Sequence, residues 1–173
     1  MQDLGTLGGD FSQALEVNNR GQVVGRSTTA NGDQHAFLWE KGRMRDLGTL
    51  PGGTFSGAQS INERGQVVGG GDAADGQEHG FLWQKGKFTD LGVLPGGNNH
   101  TVPIAINERG QVTGWDGYFS SPARAFLWDR GRLTDLGILG GSNSWGFDIS
   151  DTGQVVGSAN TADGAEHAFL WQR

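Results

Sequence analysis

Glu16 and Asp148 occupy matching places in the segments "ALEVN" and "GFDIS". In one recess, two carboxylates can divide acid–base work. One protonates a leaving group and the other activates water, as glycoside hydrolysis requires at separations of about 5–9.5 Å. His100 lies just before the related segment "PIAIN" and adds a candidate acid or base. A different chemistry is offered by Trp115, Tyr118 and Trp145. Large amphipathic rings suit stacking on a sugar or a cation–π contact. Asp116, Arg124 and Asn143 stand close to them in sequence and could supply polar contacts, and Phe119 adjoins Tyr118. Whether any of these side chains meet depends on the elements that carry them.

The totals bound those elements. The chain has 173 residues, a net charge of −6, no cysteine and 32 glycines. One domain with a sizeable core fits that length. The acidic balance opposes a protein-wide nucleic-acid footprint. Without cysteine there is no disulfide, thiolate chemistry or Cys-ligated zinc. No apolar run approaches the ~20 residues of a membrane helix, and no charged-then-apolar leader precedes the first repeat. The longest stretch free of Gly and Pro, "DFSQALEVNNR", has 11 residues. An isolated helix needs about 12–15 residues to be even marginal, so short strands and tight turns are expected instead.

One phrase is written four times: "HAFLWEKGRMRDLGTL", "HGFLWQKGKFTDLGVL", "RAFLWDRGRLTDLGIL" and the shortened "HAFLWQR". "DLG" begins at Asp3, Asp46, Asp90 and Asp135, and "GQV" at Gly21, Gly65, Gly110 and Gly153, a period of 43–45 residues. Each period holds four candidate strands: the "ALEVN" type, "QVVG", "AFLW" and the segment bearing "DLG". The first-to-second connections ("NERG") and third-to-fourth connections ("QKG") end in Gly, as a type I turn closed by a left-handed bulge residue requires. "AFLW" is continuously apolar and therefore buried on both faces. Four-stranded sheets repeating every ~40–45 residues are blades of a β-propeller. The expectation is an all-β four-bladed β-propeller in a single domain spanning 1–173, with repeats at approximately 8–50, 51–94, 95–139 and 140–173 plus 1–7. The last copy lacks its fourth strand, and "DLGTL" at 3–7 is spare. Pairing the two closes the ring within one chain and makes Glu16 and Asp148 neighbours. The alternative is that two copies build eight blades.

"INERGQVVGGGDAADGQEHGFLWQKGKFTDLGVLPGG" resembles the bacterial HAF repeat, an extracellular repeat family named for its His-Ala-Phe triplet. The resemblance covers essentially the whole chain. The third copy departs from it, with Arg124 where the His belongs and "WDGYFSSPA" for the usual loop. The resemblance implies export to an extracellular or periplasmic setting and a binding or surface role. It supplies no catalytic residue.

In such a blade the second-to-third and fourth-to-first connections share one face, the top, and the hairpin turns share the other. The turns gather cations such as Arg20, Lys41, Arg64, Lys85, Arg109 and Arg130, whereas the top loops gather acids. An acidic top suits a carbohydrate or peptide ligand, and a basic bottom suits an anionic partner. His35, His79 and His167 share one repeat position but lie too far outside the innermost strand, ~9–10 Å, to meet at one metal ion. They are expected to tie loop to strand, and no metal or other cofactor is expected. The leading reading is a non-enzymatic recognition module using Trp115, Asp116, Tyr118, Arg124, Asn143 and Trp145. The alternatives are a hydrolase or lyase using Glu16, Asp148 and His100, and a scaffold without a ligand.

Overall fold

The computed structural model describes residues 1–96, 100–118 and 122–173. Its described residues form fifteen strands in four antiparallel sheets and no helix. Sheet one holds β1 (Gly8–Val17), β2 (Val23–Thr29), β3 (Gln34–Glu40) and β4 (Arg43–Gly48) in sequence order. Sheet two holds β5 (Ser56–Ile61), β6 (Val67–Asp72), β7 (Glu78–Gln84) and β8 (Lys87–Asp90). Sheet three holds β9 (Thr101–Ile106), β10 (Val112–Asp116), β11 (Arg124–Asp129) and β12 (Arg132–Asp135). Sheet four has three strands, β13 (Gly140–Ile149), β14 (Val155–Thr161) and β15 (Glu166–Trp171).

Each sheet packs on the next through its first strand. β5 lies on β2 and β3, β9 on β6 and β7, and β13 on β10 and β11, while consecutive first strands also touch. First strands therefore form the inner edge of an arc. Apolar side chains from "VVG" and "AFLW" fill each junction: Val24 and Leu38 with Ile61, Val68 and Leu82 with Ile106, and Leu127 with Ile149. Phe37, Phe81 and Phe126 are wholly buried, as the continuously apolar third strand requires.

Two relays of hydrogen bonds set the angle from sheet to sheet. The amide Nδ2 of Asn18 donates to Asn62 O, that of Asn62 to Asn107 O, and that of Asn107 to Ser150 O, at 3.1, 3.0 and 2.8 Å. Beside it, the backbone N–H groups of Asn19, Glu63 and Glu108 donate to carboxylates of Glu63, Glu108 and Asp151 in the following turn. Within each sheet the second strand's glycine faces a bulge in the first. A Cβ on Gly25, Gly69, Gly114 or Gly157 would sit 1.9–2.0 Å from a first-strand carbonyl oxygen, so only glycine fits.

Two expectations change. The third-to-fourth hairpins are two-residue turns with both residues left-handed: Lys41 and Gly42 have φ of 52° and 80°, and Lys85–Gly86 and Arg130–Gly131 match them. That is the type I′ pattern, whose twist follows that of the strands, and not a type I turn with a bulge. The first-to-second turns do close as expected, with Gly21 N donating to Asn18 O and a φ of 72° at Gly21. The ring is also not closed within the chain. Sheet four keeps three strands, and residues 3–7 lie beside sheet one, where Leu7 bridges Thr29 and Ser12 Oγ donates to Gly5 O. Residues 3–7 are held on sheet one by their own contacts, which include Leu7 N–H to Ser27 Oγ, and both end faces meet solvent, with Val17 and Leu170 more than half exposed.

Asn62 is buried and makes four hydrogen bonds, two donated by Nδ2 and two accepted by Oδ1. Asn62→Ala strands several buried partners at once, so denaturant titration should show a loss of about 2–4 kcal/mol. An unchanged midpoint and slope would remove the relay from the account.

Candidate functional site

The sequence-predicted residues do not form one cluster. Trp115 lies inside β10 with 8% of its surface exposed, which leaves little ring to stack on a ligand. Asp116 is 1% exposed, and its Oδ2 accepts from Leu94 N–H at 3.0 Å and lies 3.2 Å from the Thr101 hydroxyl, whose hydrogen goes to Gly92 O at 2.6 Å. Its carboxylate thus holds the connection between sheets two and three. Trp145 is partly buried in β13, with an indole N–H enclosed and without a partner among the described residues. Asn143 is a bracket: its Oδ1 accepts from Ala123 N–H, and its Nδ2 donates to Ser142 Oγ and Asn160 Oδ1. Phe119 lies outside the described residues.

Tyr118 and Arg124 do face solvent. Tyr118 is 41% exposed and stacks on His100, centroids 4.2 Å apart and planes 12° apart. His100 Nε2 in turn meets Glu78 Oε2. Arg124 reaches Asp135 at 3.3 Å. Glu16 and Asp148 do not meet. Glu16 Oε2 accepts from Ile61 N–H at 2.6 Å across the first junction, and Asp148 Oδ1 from Ile149 N–H at 2.8 Å. They stand on the first and last sheets, and the neighbourhood expected for them depended on intrachain closure.

Two of the three repeat histidines, His35 and His79, tie third strand to fourth. His35 Nδ1 meets Asp46 and His79 Nδ1 meets Asp90, and Arg124 with Asp135 replaces that pair in sheet three. The same aspartates accept from Gly48, Gly92 and Gly137 N–H, which fixes the chain where it leaves the sheet. Among the described residues no cluster of His, Cys, Asp and Glu could hold a metal ion.

A recess lies elsewhere, on the inner edge. Its origin is one cross-strand pair that differs in every sheet: Gln13–Arg26, Gly57–Gly70, Val102–Trp115 and Trp145–Ser158. Where sheet three places a buried indole, sheet two has two glycines and no side chain at all. The gap is a cavity of about 300 Å³ lined by Gln13, Arg26, Phe55, Gln59, Val102 and Pro103 among others. Arg26 Nε donates to Gln13 Oε1 at 3.0 Å, which orients the guanidinium. The chemistry is one fixed cation, two amides that donate and accept, and apolar walls. Sequence reading missed this set. Its signal was the residue following "VVG" or "VTG", which reads Arg, Gly, Trp and Ser in the successive copies.

His79 links three segments, with Nδ1 on Asp90 and Nε2 on Asp75. Burial works against its protonation, but the hydrogen bonds and charges of Asp90 and Asp75 outweigh that, so its pKa is raised above the ordinary 6.5. A raised folded-state value means stabilisation that is full below 6.5 and lost as pH climbs through the folded value. Calorimetry should show the Tm gap between the wild type and His79→Gln shrinking over that climb. A gap constant in pH would mean the imidazole acts only by packing.

No family model matches the chain, and no curated protein matches its sequence. Solved structures do match in fold. The β-propeller domain of the trilobed protease from Pyrococcus furiosus, described as having an open velcro topology, superposes with a TM-score of 0.62 at 14% identity, over 94% of this chain and 49% of that one. TolB from Acinetobacter baumannii gives 0.63 at 12% identity, over 93% of this chain and 40% of that one. The fucose-recognising lectin of Aleuria aurantia, a six-bladed propeller, reaches only 0.47 at 11% identity, too loose to say anything of a ligand here. The chain spans about half the length of the propellers it matches or less. Its fold is that of β-propeller sheets.

Proposed function

We propose that the protein is a non-enzymatic recognition module that binds a carbohydrate or peptide segment in the inner-edge recess. The carrying observation is the Gly57–Gly70 pair, which leaves about 300 Å³ open beside Arg26. That volume is at the small end of ligand pockets, which typically combine apolar walls with a few placed polar groups. Phe55, Val102 and Pro103 offer apolar surface to a sugar face or an aliphatic side chain. Gln13 and Gln59 can each donate to and accept from hydroxyl or amide groups. Arg26, already oriented by Gln13, favours a carboxylate or another anionic substituent on the ligand. An extracellular or periplasmic setting, implied by the HAF resemblance, suits such a role. No helix of the described residues is long and apolar enough to cross a membrane.

Glycan and peptide arrays should return binders that Arg26→Ala weakens by at least about tenfold, as the loss of one charge-assisted contact of ~1.5–3 kcal/mol implies. Gly57→Leu should abolish binding while leaving the fold intact. The added side chain starts 3.8 Å from Arg26 at a backbone conformation any residue adopts, and it fills the recess. Full binding by Gly57→Leu would remove the recess as the site.

A further inference from the structure

We propose that a second copy of this chain joins it head to tail. Residues 1–3 of each copy become the outer strand of the other copy's sheet four, and residues 4–7 lead from it to their own sheet one, closing a ring of eight sheets. The two ends are complementary in detail, because each displays one half of a junction that the chain builds three times internally.

The leading end already has the shape of an outer strand. Asp3 Oδ1 accepts from Gly5 N–H, as Asp46, Asp90 and Asp135 accept from Gly48, Gly92 and Gly137. Gly5 has a φ of 79°, against 81°, 75° and 85° at those glycines. Ser12 Oγ donates to Gly5 O, as Ser56, Thr101 and Ser144 hydroxyls donate to Gly48, Gly92 and Gly137 O. In every internal case that carbonyl belongs to the outer strand of the preceding sheet, or to the segment that leaves it. Residues 3–7 therefore sit where the end of a preceding sheet's outer strand and the segment leaving it would lie, with no such sheet beside them among the described residues.

Among the described residues sheet four has no such strand. β15 is the edge of its sheet, and His167 has no partner among the described residues, whereas His35 and His79 each hold the aspartate of their own outer strand. Ala36 and Ala125 N–H donate to the hydroxyls of Ser56 and Ser144 in the next sheet. The corresponding rungs between copies are Ala168 N–H to Ser12 Oγ and His167 to Asp3.

The apolar faces match as well. Val17 is 61% and Leu170 58% exposed, yet their counterparts Ile61, Ile106, Leu38 and Leu127 are buried at internal junctions. Val156 with Leu170 would meet Val17 as Val68 with Leu82 meets Ile106. The amides of Gln22, Gln66 and Gln111 each lie over the turn glycine of the following sheet, at Gly65, Gly110 and Gly153, while no described residue covers Gly21. Gln154 is the side chain that would.

The two faces differ, so the contact is heterologous and must close or propagate. Propellers hold about four to eight blades, and multiples of four leave one chain or two. The single chain is open, which selects two.

Light scattering on the 173-residue chain should give twice its 18.3 kDa. If the new outer strand pairs as Thr89 does with Leu82, Gln2 comes to lie opposite Leu170 of the other copy. The chain has no cysteine, so a Gln2→Cys, Leu170→Cys variant should crosslink under oxidation into a covalent dimer. Val17→Arg and Leu170→Arg, at positions exposed in the single chain, should each be monomeric alone. Mixed, they should form a pair, since one intact head meets one intact tail. A monomer at every concentration, a crosslink within one chain, a growing fibre, or a dimer that survives Val17→Arg alone would each overturn the proposal.

Discussion

The amide of each turn asparagine, donated to the carbonyl of the next turn, is the contact on which the arrangement of sheets depends. Apolar packing between sheets is strong but has no direction, and it would tolerate many angles. A buried amide that serves its own turn with one hydrogen and the next with the other admits few. Asn18, Asn62 and Asn107 therefore convert a stack of sheets into an arc of defined curvature. Ser150 stands in the fourth place, where its carbonyl accepts from Asn107 and its hydroxyl serves only its own turn.

The recess follows from the same regularity. Because the relays hold neighbouring sheets in equivalent relations, a change at one repeated position alters only the space between two sheets. The cross-strand pair following the "VVG" glycine is where the copies vary most. A Val–Trp pair fills the space in sheet three and a Gly–Gly pair empties it in sheet two. Arg26 then projects over the vacancy with its orientation set by Gln13. A site made this way needs no loop movement and no departure from the strand pairing.

The period, the four strands in each full unit and the buried "AFLW" segment are legible in the sequence, since periodic glycine and continuous apolar runs report directly on turns and burial. The need for glycine in "VVG" is visible there only as a repetition. Its cause, a carbonyl within 2.0 Å of where a Cβ would stand at Gly69, is a fact of the bulge opposite. "EKG" fits two turn types, and only the left-handed Lys41 separates them. The unmatched "DLGTL" shows that an outer strand is spare but not which sheet takes it. Trp115 and Trp145 look ligand-facing in the sequence because they break the repeat. Breaking the repeat marks a changed space, and a large ring can occupy that space as readily as look out of it. Arg26 hides among ordinary surface charges for the same reason.

Each sheet packs chiefly on the sheets before and after it. In the single chain such an array has nearest-neighbour cooperativity, with two interfaces supporting each inner unit and one supporting each outer unit that no second copy covers. Fraying then starts at the ends and moves inward, and amide exchange is slowest in the central pair of sheets. Since sheet one supplies Arg26 and Gln13, partial unfolding at that end dismantles half of the recess while the rest of the molecule stays folded.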